Sequence, residues 1–126
     1  MLTLALLVGI WSSSCTQTQI NGERGHSTQS YTIAVDGGFV FTRQWYQDSR
    51  CTKLAESQSH SGKLTIGARL ASSMFNPNAH GVDYSYDGHI DMGAMELNGN
   101  ILRVARGQAD SGARNTMLEI ISYKKR

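Results

Sequence analysis

The chain has 126 residues, of which 40% are hydrophobic and 17% charged, with 13 Gly and 1 Pro. That length suits one domain around one core, and the composition excludes a disordered or proline-rich chain. The formal charge is only +2, and three of the 12 basic residues form the terminal Lys124-Lys125-Arg126, so the rest is near neutral and scattered, which argues against nucleic acid as a partner.

Leu2 to Trp11 is apolar, about the length of a signal-peptide core and too short to span a bilayer. Residues 1–14 admit three readings. Leu6 to Ser14 can be a first strand. Ser12-Ser13-Ser14-Cys15 resembles the end of a bacterial lipoprotein signal, in which a lipidated Cys15 would anchor the chain to a membrane. A simple cleaved signal is the third. Each places the domain outside the cytoplasm, secreted or periplasmic.

The only two cysteines are Cys15 and Cys51, and their pairing is expected in an oxidising compartment. The bridge would tie the chain's opening to a central hairpin. Thr16 to Ser27 is polar, contains Asn21-Gly22 and reads as a loop. Tyr31, Ile33 and Val35 alternate with small residues as one face of a strand. Asp36-Gly37-Gly38 is a turn leading into Phe39 to Tyr46, a hairpin signal. Thr52 to Ser59 and Lys63 to Ala71 read as a further hairpin, turned at Ser61-Gly62. Ser72 to His80, with Pro77, reads as a long loop, and Val82 to Tyr86 as a short strand.

Met92 to Leu97 and Ile101 to Arg106 flank Asn98-Gly99-Asn100, a strong hairpin signal. Gly107 to Gly112 reads as a loop and Met117 to Tyr123 as the last strand. No long segment keeps a 3.6-residue apolar spacing. The expectation is an all-β domain over 1–126: an antiparallel eight- or nine-stranded barrel or rolled sandwich of meander topology.

Gly9-Ile10-Trp11, the meandering hairpins and an arginine near the closing strands resemble the lipocalin-like, or calycin, barrels. The resemblance implies a barrel closed by an arginine packed across the Trp11 indole, with Arg114 in that role and Arg103 as substitute. Ser111-Gly112-Ala113-Arg114 is similar to a segment of the periplasmic lysozyme inhibitors of the C type, which implies a protein-binding envelope module instead.

On Phe39 to Tyr46, period two puts Phe39, Phe41, Arg43 and Trp45 on one face, and Tyr84 and Tyr86 share another. A barrel interior lined with aromatics and one charge favours a small apolar or amphipathic ligand. The expected ligand-binding residues are Tyr31, Phe41, Arg43, Trp45, Tyr84 and Tyr86. The same residues equally suit a filled core. His80, Asp83 and His89 are the metal candidates, and a metal-dependent hydrolase would need them to converge; their spacing matches no metal signature, and no cofactor is expected. Catalytic motifs such as Gly-x-Ser-x-Gly and His-Glu-x-x-His are absent, so no catalytic residue is assigned and a non-catalytic binding function is expected.

Overall fold

The computed structural model describes residues 2–20, 23–70 and 78–126. A single helical turn, α1 (Leu4–Leu7), precedes nine strands: β1 (Gly9–Ser12), β2 (Thr16–Ile20), β3 (Glu23–Ile33), β4 (Gly38–Tyr46), β5 (Leu54–Arg69), β6 (Ala79–Tyr86), β7 (His89–Asn98), β8 (Ile101–Ala105) and β9 (Ser122–Lys125). Every pairing is antiparallel. Strands β3 to β9 follow one another around the sheet, and β1 pairs with both β9 and β3 to close an eight-stranded barrel. The extra strand, β2, continues β1 along β3 after a break at Ser13–Cys15, where the register against β3 shifts by one residue. The architecture is consistent with a lipocalin-like barrel.

Alternation explains the interior. Trp11, Tyr31, Ile33, Phe39, Leu64, Val82, Tyr84, Met95, Leu102, Val104 and Tyr123 are buried in one cluster. Each such side chain removed from water contributes about 1.5 to 3 kcal/mol. Leu2 and Leu7 join this cluster from the N-terminal segment and plug the barrel's lower end. There the Leu2 amide donates to His80 Nε2 at 3.3 Å, and the Trp11 indole N–H donates to the Leu7 carbonyl at 2.8 Å. A smaller cluster lies outside the barrel: Leu118, from the connection between β8 and β9, covers Ala94 and Ala105.

Cys15 and Cys51 are disulfide-bonded. The bond ties the break between β1 and β2 to the loop between β4 and β5, with a Cα–Cα distance of 6.0 Å. It is compatible with an extracellular or periplasmic location. No helix among the described residues is long and apolar enough to cross a membrane. In this structure the Cys15 sulfur is bonded to Cys51, and β1, which pairs with β3 and β9, precedes it in the chain.

Several sequence expectations change. The first strand is Gly9–Ser12, preceded by a helical turn rather than extended chain from Leu6. Thr16 to Ser27 is not a loop: Ile20 pairs with Glu23 across positions 21 and 22, which lie outside the described residues. Val35 is 80% exposed in the turn rather than on the strand's buried face.

The expected hairpin of Thr52 to Ser59 and Lys63 to Ala71 is instead one sixteen-residue strand, β5 (Leu54–Arg69), with Ala71 outside the described residues. Its first half pairs with β4 and its second with β6, meeting at Lys63. Gly62 is there for close approach, not for a turn: a Cβ would overlap the Ser85 carbonyl oxygen. Most of the loop expected at Ser72 to His80 lies outside the described residues, and Ala79 and His80 already belong to β6. The last strand is only Ser122–Lys125, since Met117 and Ile120 are solvent-exposed and, before Ser122, only Leu118 of the expected strand is buried.

Candidate functional site

Cavities open at both ends of the barrel: one of about 560 Å³ at the lower end, bounded by Leu2, Leu6, Asn78, His80 and Leu97, and a smaller one at the upper end that gathers the aromatic and charged side chains. A cavity of about 300 Å³ there is bounded by Gln29, Tyr31, Phe41, Arg43, Gln58, His60, Tyr86, Asp91, Arg106 and Glu119. Its volume is at the small end of small-molecule sites.

One wall is built in rows across β3, β4 and β5. Phe39 faces Ile33 and Gly62 in the deepest row, and Phe41 faces Tyr31 and His60 in the next. Arg43 stands above, directly opposite Gln29 on one side and Gln58 on the other. Side chains at directly opposed positions share a face, so period two stacks an apolar row, a ring row and an amide–guanidinium row toward the opening. The ring row continues to β6. Phe41 and His60 are 5.3 Å apart between centroids, and His60 stacks on Tyr86 at 5.5 Å.

Arg106, just past the end of β8, forms the opposite wall. Its Nε donates to Asp91 Oδ2 at 2.8 Å, its Nη1 donates to the Tyr31 hydroxyl at 3.3 Å, and its guanidinium lies 4.2 Å from the Tyr84 ring centroid. Asp91 is 2% exposed and also accepts the Gly107 amide. A buried carboxylate of this kind needs its partners, because desolvation of an unpaired charge is costly. Arg106 is therefore committed to holding the site together.

Arg43 is different. Its guanidinium sits 5.8 Å from the ring centroids of both Phe41 and Trp45, and its Nε is buried. Among the described residues it has no hydrogen-bond or carboxylate partner. Gln29 is pre-oriented, since the Tyr123 hydroxyl donates to its Oε1 at 2.8 Å. That leaves the Gln29 amide nitrogen as the end available to the cavity. Burial raises the pKa of Tyr31, opposed by Arg106, and raises that of Tyr84 still further. Burial lowers that of His60, reinforced by Arg106 and Arg43 against Asp87.

Of the six expected ligand-binding residues, Tyr31, Phe41, Arg43 and Tyr86 line the cavity. Trp45 lies behind Arg43. Tyr84 is fully buried beneath Arg106, with its hydroxyl donating to the Ala94 carbonyl at 3.2 Å. Asp91 and Arg106 share faces by alternation with Gly93 and Met95, and with Leu102 and Val104, and lie at the outer ends of those strand faces. His60 and Gln58 were hidden by the mistaken turn at Ser61-Gly62. Glu119 lies in a connection with no periodic signal.

The expected closure of Trp11 by Arg114 is corrected. Arg114 lies outside the barrel, donating to Asp83 at 2.7 Å and to the carbonyls of Gly93 and Val82 at 2.8 and 3.2 Å. The connection between β8 and β9 folds back over the outer face, which carries Arg114 there. The cation facing the Trp11 indole is Lys125, at 5.7 Å, on the neighbouring strand β9. The substitute, Arg103, instead donates to the Glu119 carbonyl at 3.0 Å.

The metal candidates do not meet. His80 is held at the lower end by Leu2 and Gly67, Asp83 pairs with Arg114 outside, and His89 pairs with Asp110 at 2.6 Å beside an upper turn. Among the described residues no group of three ligating side chains converges. No protein-family model matches this chain, and no curated protein matches it either.

Proposed function

We propose that this protein is a non-catalytic, exported barrel of the lipocalin-like type that binds a small amphipathic molecule at its upper mouth. The observation that carries this reading is Arg43: a guanidinium beside the Phe41 and Trp45 rings with no hydrogen-bond or carboxylate partner among the described residues, at the edge of a cavity of about 300 Å³. An apolar floor beneath a single polar anchor is the usual composition of small-ligand sites. The buried cluster of Tyr31, Phe39, Val82, Tyr84 and Met95 lies beneath the mouth, and the mouth's volume of about 300 Å³ suits a small ligand better than a long acyl chain. The disulfide supports an oxidising compartment.

The test is a small-fragment screen followed by amide and side-chain NMR. Binding should shift Tyr31, Phe41, Arg43, His60 and Tyr86 together. A screen in which no fragment moves that set would overturn the reading.

A second reading, a protein-binding envelope module of the lysozyme-inhibitor kind, has its own support. Ile120 is 97% exposed and Met117 79% exposed on the connection that also carries Ser111 to Arg114. Single exposed apolar residues are common, so this feature weighs less than the built mouth.

A further inference from the structure

We infer that the mouth takes a small, ring-bearing monocarboxylate, its carboxylate on the Gln29–Arg43–Gln58 row and its ring on the Tyr31–Phe41–His60–Tyr86 row below. The inference rests on the binding function proposed above and specifies its chemistry.

The first step is donor geometry. Gln29, Arg43 and Gln58 occupy directly opposed positions on three adjacent strands, so their ends form a line across the wall. The Gln29 amide oxygen is already taken by Tyr123, which turns its N–H₂ end to the cavity. Arg43 offers donors with no protein acceptor among the described residues. A row of N–H donors centred on a guanidinium matches a carboxylate, which accepts on two oxygens and pairs well with arginine.

The second step is charge. The cavity is bounded by Arg43 and Arg106 and by Asp91 and Glu119, which balance. Arg106 and Asp91 cancel each other at 2.8 Å. Arg43 is thus the arginine of this lining with no carboxylate partner among the described residues, while Glu119 at the rim opposes a second negative charge. A monoanion fits this field better than a phosphate or another dianion.

The third step is shape. Beneath the donor row the wall is made of rings, with Tyr31 and Phe41 4.8 Å apart and Phe41, His60 and Tyr86 in sequence. A flat apolar body stacks there at little entropic cost. The volume suits a single-ring scaffold rather than a lipid.

The experiment titrates the full-length, disulfide-intact protein with benzoate, benzyl alcohol, benzylamine and inorganic phosphate at pH 7. It is read by NMR shifts and by fluorescence of Trp45, which contacts Arg43. Benzoate should bind about tenfold or more tighter than benzyl alcohol, as one charge-assisted contact provides. Arg43→Gln should remove that preference, bringing benzoate and benzyl alcohol to within about twofold of each other. Gln58→Ala, at an exposed position, should weaken benzoate alone, which guards against a poorly folded Arg43 variant. Equal binding of benzoate and benzyl alcohol at the mouth would overturn the carboxylate assignment but leave the binding function standing. Preference for benzylamine or for phosphate would also overturn it. If none of the four moves the mouth residues, the binding function fails with it.

Discussion

The Tyr123 hydroxyl donates to Gln29 Oε1 at 2.8 Å across 94 positions of sequence, joining the last strand to the third inside the barrel. The bond stitches closure to the site, because the same amide group lines the mouth. Burial raises the pKa of Tyr123, so its proton stays on the hydroxyl at physiological pH. Tyr123→Phe leaves a buried carbonyl oxygen without its donor and should cost about 1 to 3 kcal/mol in urea unfolding. Benzoate binding should weaken in the same variant, since Gln29 loses its fixed orientation.

The bridge between Cys15 and Cys51 spans 36 positions. Constraining a loop of that length in the unfolded chain stabilises the fold by about 3 to 4 kcal/mol. Cys15→Ser with Cys51→Ser, or reduction of the native protein, should lower Tm by roughly 10 °C or more. Scanning calorimetry with and without reductant checks this, and coincident transitions would refute it.

Gly62 lies where β5 passes from its pairing with β4 to its pairing with β6, and the Ser85 carbonyl occupies the space of a Cβ. Gly62→Ala should cost about 2 kcal/mol or more, because the backbone itself must move. Gly67 on the same strand is the control: a Cβ there meets the Gly81 carbonyl at 3.3 Å, a smaller adjustment. Gly67→Ala should change stability by less than about 1 kcal/mol.

His60 faces Arg43 from β4, Tyr86 and Asp87 from the end of β6, and Arg106 from beyond β8, and its pKa is lowered below 6.5. In the free protein the unfolded chain therefore takes up this proton first. The stability His60 contributes is present above about pH 6.5 and is lost as pH falls through its folded value. A bound carboxylate reverses the balance by favouring the imidazolium. Benzoate affinity should accordingly rise between pH 7 and pH 5.5, and His60→Gln should flatten the dependence. A profile identical in the two proteins would show that His60 does not face the bound anion.

The alternation of Phe39, Phe41, Arg43 and Trp45 identified one wall of the mouth from sequence, because period two fixes which side chains share a face whatever the neighbours are. Asn98-Gly99-Asn100 and Asp36-Gly37-Gly38 likewise marked real hairpins, since their turn chemistry is local, and two cysteines leave only one pairing. What these features do not contain is circumference. Whether Lys125 or Arg114 meets Trp11, whether Ser61-Gly62 turns or runs straight through, and whether Asp91 meets Arg106 all depend on register between strands distant in sequence. Closure of the sheet decided those contacts, because a glycine reads the same in a turn as beneath a crossing backbone. Only the neighbouring strand tells them apart.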